Sequence, residues 1–152
     1  MKLLFLDIDG VLNCAGTFAT REQRILGRYF LDRAMIARLD RVIEATGADV
    51  VVSSCWRRGD DGRSVGSILS AAGLCNRAAI VGETPHLGAT PRGREIAAYL
   101  AASQPFPDTI AIVDDDDDVG YLRPYLVQTD WARGLDDQVE RELIEHLGRI
   151  GG

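Results

Sequence analysis

The stretch Leu3-Leu4-Phe5-Leu6-Asp7-Ile8-Asp9-Gly10 joins an unbroken apolar run to two aspartates and a glycine. Such a run is typical of a strand buried on both faces, as in a parallel sheet covered by helices on each side. We therefore predict a first strand over Lys2–Leu6 and a polar loop from there through Gly16. Alternate side chains of an extended segment share a face, so Asp7 and Asp9 would lie about 7 Å apart with room for a phosphoryl group between them.

The rest of the chain alternates short apolar runs with helical periodicity, which predicts βαβ units and a parallel sheet. Further strands are expected at 49–52, 79–81, 109–113 and 126–129, the last at an edge of the sheet. Asp32 is expected to cap a helix that runs to about Thr46 and ends at Gly47. Other helices are expected at 63–72, 93–102 and about 135–147. Together these elements predict an α/β fold of three layers around a central parallel sheet.

Length and composition favour one soluble domain. A chain of 152 residues can bury a self-sufficient core but has no room for a second domain, so we predict a single domain over 1–152 without an inserted cap. No apolar run is long enough to cross a membrane and no secretion signal begins the chain, so we expect a cytoplasmic protein with three reduced cysteines. The net charge of −6 says little about the substrate, because seven aspartates fall in two tight groups.

Polar side chains follow three of the expected strands. Asp7 and Asp9 follow the first, Ser53-Ser54 follows 49–52, and the run Asp114 to Asp118 follows 109–113. Ligands of such sheets bind beyond the carboxyl ends of the strands, so we expect these clusters to meet there. Apolar residues on both sides of the aspartate run place it inside the fold, where like charges need a cation, and carboxylate oxygens suit Mg²⁺. A turn, a helix cap and a solvated acidic loop remain the structural alternatives.

Two further segments offer phosphate contacts. A hydroxyl of Ser53 or Ser54 can donate to a phosphate oxygen, and we favour Ser53 because it directly ends the strand. The segment Pro91-Arg92-Gly93-Arg94 begins a helix, so its free amides and one arginine can hold an anion. The choice between Arg92 and Arg94 stays open, with Arg92 preferred by position.

Several other types of site are excluded because the chain lacks their motifs. The chain has neither GxxxxGK[ST] nor GxGxxG, and no cysteine has an arginine six residues downstream. A Gly-x-Ser-x-Gly elbow is also missing. A receiver domain would need its acceptor aspartate after the third strand and a lysine late in the chain, whereas Lys2 is the only lysine.

Four segments resemble, in order, the motifs of the haloacid dehalogenase (HAD) superfamily. They are Asp7-Ile8-Asp9-Gly10-Val11-Leu12-Asn13, Val51-Val52-Ser53-Ser54, the region of Arg92, and Ile112-Val113-Asp114-Asp115. The fuller stretches around them resemble the compact HAD domain associated with bacterial and phage RNA repair proteins. The resemblance implies a capless, Rossmann-like HAD fold and a phosphatase.

The same resemblance implies a role for each residue. Asp7 would attack phosphorus to form an aspartyl phosphate, and Asp9 would act as general acid and base. Mg²⁺ would bind Asp7, Asp114 and the backbone carbonyl of Asp9, with Asp115 or Asp118 completing its shell through water. Ser53 and Arg92 would hold the remaining phosphate oxygens.

An open cleft suits a large phosphorylated substrate, such as a nucleic-acid end carrying a 3′-phosphate, although nucleotides and sugar phosphates remain open. The alternative is a catalytically silent HAD-like module that binds Mg²⁺ and phosphate. A long loop over Asp7, at about residues 14 to 30, would count against the open cleft. The sequence leaves the oligomeric state undetermined.

Overall fold

Five parallel strands form the centre of the molecule. The computed structural model describes residues 1–19, 24–58 and 64–151. The strands are β1 (Lys2–Leu6), β2 (Asp49–Val52), β3 (Ile80–Glu83), β4 (Thr109–Asp114) and β5 (Leu126–Gln128), in the order β3-β2-β1-β4-β5. All four neighbouring pairs are parallel. The predicted open α/β sheet is confirmed, with β1 at its centre and β5 at an edge.

Helices cover both faces of this sheet. They are α1 (Ala15–Ala19), α2 (Arg33–Thr46), α3 (Val65–Ala71), α4 (Arg92–Ala101) and α5 (Asp137–Leu147). Short 3₁₀ turns lie at Cys55–Arg58, Arg77–Ala79 and Gly120–Tyr125. No helix within the described ranges has the length and apolar character that a membrane crossing requires.

The apolar residues of β1 alternate between two cores. Leu4 and Leu6 belong to the larger core, which also contains the apolar faces of α2, α3 and α5. Leu3 and Phe5 belong to the smaller core on the α4 side of the sheet. Each of these side chains is at most 2% exposed, and full burial of one stabilises the fold by about 1.5–3 kcal/mol. The unbroken apolar run is therefore explained by a strand with helices on both sides.

Capping fixes the start of α2 and α5. Asp32 accepts hydrogen bonds from the amides of Ala34 (2.8 Å) and Met35 (3.3 Å), and Gly47 ends α2 with a φ of 71°. The Asp136 carboxylate accepts from the Val139 amide at 2.9 Å. These caps confirm the predicted start and end of α2, and α5 lies beside α2, with Arg38 Nε 3.1 Å from Asp137 Oδ1.

The structure corrects some of the expected boundaries. The helix expected at 63–72 begins after its cap, Ser64, and residue 63 lies outside the described residues. The strand expected at 79–81 occupies Ile80–Glu83, because the residues before it form a 3₁₀ turn. Helix α1 has no counterpart in the prediction, since five residues show no helical periodicity. That a single domain spans 1–152 remains a prediction.

Candidate active site

The segments that follow four strands continue the hydrogen-bond ladder of the sheet. The amide of Asp7 donates to the Val113 carbonyl at 3.1 Å, and the amide of Ser53 donates to Leu6 at 2.8 Å. Thr84 and Thr129, just beyond β3 and β5, are held by neighbouring strands in the same way. The backbone of these segments is therefore fixed, and their polar side chains gather at the carboxyl edge as predicted.

Three aspartates come together at this edge. One carboxylate oxygen from each of Asp7, Asp114 and Asp115 lies within 4.8 Å of the others. Asp7 and Asp114 are buried, and Asp115 is half-buried. Burial raises the pKa of both Asp7 and Asp114. The charge of Asp7 raises the pKa of Asp114 further.

The chemistry of this cluster fits a hard divalent cation. Three carboxylates offer the oxygen donors that Mg²⁺ prefers, and a cation between them would offset the charge repulsion that, after burial, raises the pKa of Asp114. The ligand set predicted from the sequence therefore has three of its aspartates in place.

Gly10 allows the cluster to assemble. Its φ of 83° lies in the left-handed region, and a Cβ at this position would collide with the Asp115 carboxylate. Only glycine therefore lets the loop after β1 pass close to the loop after β4.

Arg92 stands beside the aspartates. Its Nη2 lies 3.9 Å from Asp7 Oδ1, and its Nε lies 3.5 Å from Asp114 Oδ2. On the other side, Nη1 lies 3.7 Å from Oε1 of Glu95, one helical turn along α4. Arg94 is exposed. The geometry thus favours Arg92 over Arg94 as the phosphate contact.

The two serines after β2 have different surroundings. Both are buried. The Ser54 hydroxyl accepts a hydrogen bond from the Trp56 amide at 3.3 Å and so begins the 3₁₀ turn. The Ser53 hydroxyl has no hydrogen-bond partner among the residues that the structure describes. A buried donor of this kind needs an acceptor, which a phosphate oxygen would provide.

Asp9 is oriented by Asn13. The Asn13 amide nitrogen donates to Asp9 Oδ1 at 3.0 Å and to the Phe30 carbonyl at 2.9 Å, while Asn13 Oδ1 accepts from the Gly10 amide. Asp9 is half-buried, and its side chain does not belong to the three-aspartate cluster found within the described residues. Its carboxylate is therefore held in place and still reachable by solvent.

The comparisons with known proteins bear on this arrangement. Residues 3–139, about nine-tenths of the chain, match the family described as the HAD domain in Swiss Army Knife RNA repair proteins. The chain belongs to this family. No curated protein and no solved structure gives a significant match. The predicted HAD superfamily and Rossmann-like HAD fold are thereby confirmed.

The aspartate run of this HAD domain divides into two parts. Asp114 is buried and Asp115 half-buried, but Asp116, Asp117 and Asp118 are exposed, so the expectation that the whole run lies inside the fold was wrong. The solvent-facing part is held by local contacts, such as the ion pair of Asp117 with Arg123 at 3.1 Å.

Asp118 caps α4. Its Oδ2 accepts from the Arg92 amide at 3.1 Å, and its carbonyl accepts from the Gly93 amide at 3.0 Å. The expected anion site at free amides of this helix start is thus not available, because Asp118 already uses them. Its predicted role as an outer metal ligand stays a prediction.

Sequence reasoning missed Glu95 and Thr84. Glu95 is buried, contacts Arg92, and accepts a hydrogen bond from the Leu87 amide at 3.0 Å. Its signal was the spacing of three residues from Arg92. Thr84 follows β3 with a buried hydroxyl that lacks a partner in the described part of the chain, as Ser53 follows β2.

Proposed function

We propose that this HAD domain is a Mg²⁺-dependent phosphomonoester hydrolase that works through an aspartyl phosphate on Asp7. The observation that carries the proposal is the group of buried Asp7, buried Asp114 and half-buried Asp115, which lies beside Arg92, together with the Ser53 hydroxyl, which has no partner among the described residues. As substrate we propose a phosphorylated nucleic-acid end, carrying a 3′-phosphate, or a nucleotide. The description of the family as a domain of RNA repair proteins supports this choice.

Asp7 is the nucleophile in this mechanism. Its oxygen forms a bond to phosphorus while the bond from phosphorus to the leaving oxygen breaks. The attack needs an ionised carboxylate, yet burial raises the pKa of Asp7, and the negative charge of Asp115 raises it further. Asp7, Asp114 and Asp115, with the backbone carbonyl of Asp9, would hold Mg²⁺, whose positive charge would keep Asp7 ionised and offset the charge of the phosphate.

Asp9 transfers the protons. In the first step it donates a proton to the leaving oxygen, and in the second it takes one from the water that hydrolyses the aspartyl phosphate. The hydrogen bond from Asn13 directs its carboxylate, and partial exposure lets the water reach it.

Arg92 and Ser53 hold the phosphoryl group. The guanidinium already lies within 4 Å of Asp7 and Asp114, so a phosphate attacked by Asp7 comes within its reach. Ser53 donates its hydroxyl proton to another phosphate oxygen. The contacts of both side chains with the phosphate oxygens become stronger as negative charge develops on these oxygens in the transition state.

The position of Arg92 favours one rival, a HAD-like module that binds Mg²⁺ and phosphate without turnover. Here the guanidinium forms ion pairs with the same carboxylates that would hold the cation. Turnover requires Arg92 to contact the phosphate instead, whereas a silent module does not.

The test is phosphate release from 3′- and 5′-phosphorylated oligonucleotides, nucleotides and a generic aryl phosphate, with and without Mg²⁺. We expect release by the wild type and a loss of at least about a thousandfold in Asp7→Asn, since a neutral amide is not a competent nucleophile. Asp116→Asn is the matched control, because it removes an exposed charge from the aspartate run and should retain activity. Binding of phosphate and Mg²⁺ with no release from any substrate would favour the silent module.

A further inference from the structure

Three aromatic rings form a column beside the candidate active site. Phe18 of α1 lies between Phe30 and Trp131, with centroid distances of 4.9 Å and 5.3 Å. The planes of neighbouring rings differ by only 33° and 25°. Trp131 ends this aromatic column and is 45% exposed although Phe18 stacks on it. The column therefore presents an indole to solvent.

Hydrogen bonds connect the aromatic column to the proposed general acid. The side-chain nitrogen of Asn13 donates to both the Phe30 carbonyl and Asp9 Oδ1, so these two oxygens lie on either side of one nitrogen. The Thr129 hydroxyl, two residues before Trp131, donates to the Gly10 carbonyl at 2.7 Å. The Trp131 carbonyl accepts from the Ala15 amide at 3.0 Å. The column is thus fixed to the loop that carries Asp9.

Arginines lie against the aromatic residues of the same chain segment. The guanidinium carbon of Arg24 is 5.8 Å from the Phe30 ring centroid, and that of Arg28 is 5.3 Å from the Tyr29 centroid. Both arginines are exposed residues in a chain whose net charge is −6. They place positive charge beside the rings of Tyr29 and Phe30, the second of which belongs to the aromatic column.

We propose that Trp131 is a stacking subsite for a nucleobase of a phosphorylated polynucleotide, while Arg24 and Arg28 contact its phosphodiesters. This inference rests on the proposed function and specifies its substrate class. An exposed indole stacked on the Phe18 ring matches a flat ligand with an aromatic face, and bases of any sequence stack on such a surface. Guanidinium groups next to the rings match the anionic backbone between bases.

The main test compares Trp131→Ala with Tyr121→Ala. Tyr121 is 78% exposed and lines a groove with Phe106, Pro124 and Tyr125. None of these residues belongs to the proposed site, so Tyr121→Ala is a control that also removes an exposed aromatic ring. For a phosphorylated oligonucleotide we expect Trp131→Ala to raise KM on the order of tenfold with little change in kcat, as loss of one base-stacking contact predicts. Tyr121→Ala should leave KM unchanged.

The substrate provides a second control. With a phosphorylated oligonucleotide whose terminal nucleotides lack bases, the wild type and Trp131→Ala should have equal KM values. The same should hold for a small alkyl phosphate. An equal rise in KM on the oligonucleotides with and without bases would overturn the proposal. So would a rise on a phosphotyrosine peptide but none on the oligonucleotide, which would indicate a protein substrate.

A binding measurement separates this inference from the proposed catalysis. The chain has two tryptophans, so Trp56→Phe leaves Trp131 as the only one. We expect its fluorescence to be quenched by an unphosphorylated oligonucleotide, and Arg24→Ala with Arg28→Ala to weaken this binding and its dependence on salt. Quenching without phosphate release from any substrate would retain the subsite and reject the hydrolase. Absence of quenching at concentrations well above KM would reject the subsite alone.

Discussion

Arg92 is the residue on which the candidate site depends most, and Glu95 positions it. The guanidinium lies between Glu95 on one side and Asp7 and Asp114 on the other. Glu95 is itself fixed, because it is buried and accepts from the Leu87 amide. A carboxylate behind the guanidinium restricts it to the proposed phosphate site, since an arginine stem alone leaves many rotamers accessible.

We predict that Glu95→Gln lowers kcat/KM on the order of tenfold, as expected when a charge-assisted contact is lost. Glutamine keeps an oxygen for the Leu87 amide, so the fold should persist, which thermal unfolding would verify. The informative measurement is a double-mutant cycle with Arg92→Ala. If Glu95 acts through Arg92, Glu95→Gln has no further effect once Arg92 is gone. Additive losses would show that Glu95 acts by another route. Glu145→Gln on α5 is the exposed control.

Among the elements, α4 brings the two halves of the site together. Its first residue is Arg92, its second is a glycine against the Val119 carbonyl, and the amides of both donate to Asp118 of the aspartate run. A Cβ on Gly93 would collide with that carbonyl, so the start of α4 packs directly on the loop after β4. The position of the start of α4 and that of the aspartate run therefore depend on each other.

Substitutions of Asp118 distinguish a helix cap from a metal ligand. As a cap, Asp118→Asn should keep both stability and Mg²⁺ affinity, because asparagine caps as well as aspartate. Asp118→Ala should lower the free energy of unfolding by about 1 kcal/mol. Urea unfolding and calorimetric Mg²⁺ titration measure the two quantities. A loss of Mg²⁺ affinity in Asp118→Asn would restore the ligand role predicted from the sequence.

At the scale of the whole molecule, we expect the candidate site to lower the free energy of unfolding near neutral pH when no cation is bound. Burial raises the pKa of Asp7 and Asp114 above the usual carboxyl value, so the folded state binds more protons than the unfolded state. The stability that these groups contribute is present below about pH 4 and is lost as the pH rises towards their folded-state pKa values.

We therefore predict that, in a chelator, the melting temperature of the wild type falls relative to Asp114→Asn as the pH is raised from 4 to 8. One unit of pKa difference corresponds to about 1.4 kcal/mol, which is a few degrees in a protein of this size. Millimolar Mg²⁺ should reverse the fall in the wild type but not in the variant. Parallel melting curves for the two proteins at every pH would contradict the prediction.

The parallel sheet and the meeting of polar clusters at the carboxyl ends of its strands were predictable, because buried parallel strands leave unbroken apolar runs in the sequence. The contact of Asp118 with α4 was not, because it depends on how this helix packs against a loop more than 20 residues away in the chain, which no local pattern encodes. Glu95 was missed although its contact with Arg92, three residues earlier, is local. The 3₁₀ turn before β3 was missed because its apolar residues resemble the start of the strand.

Because Gly10 contacts Asp115, the residues that can occupy these two distant positions of the chain depend on each other. Any side chain at position 10 would displace the carboxylate at position 115, and its positive φ would add backbone strain. Position 10 can therefore accept another residue only if the residue at position 115 becomes smaller in the same protein, and that change would remove an acidic group. Among chains of this family, we expect a residue other than glycine at position 10 to mark domains that have lost the cluster and retain the fold for another purpose.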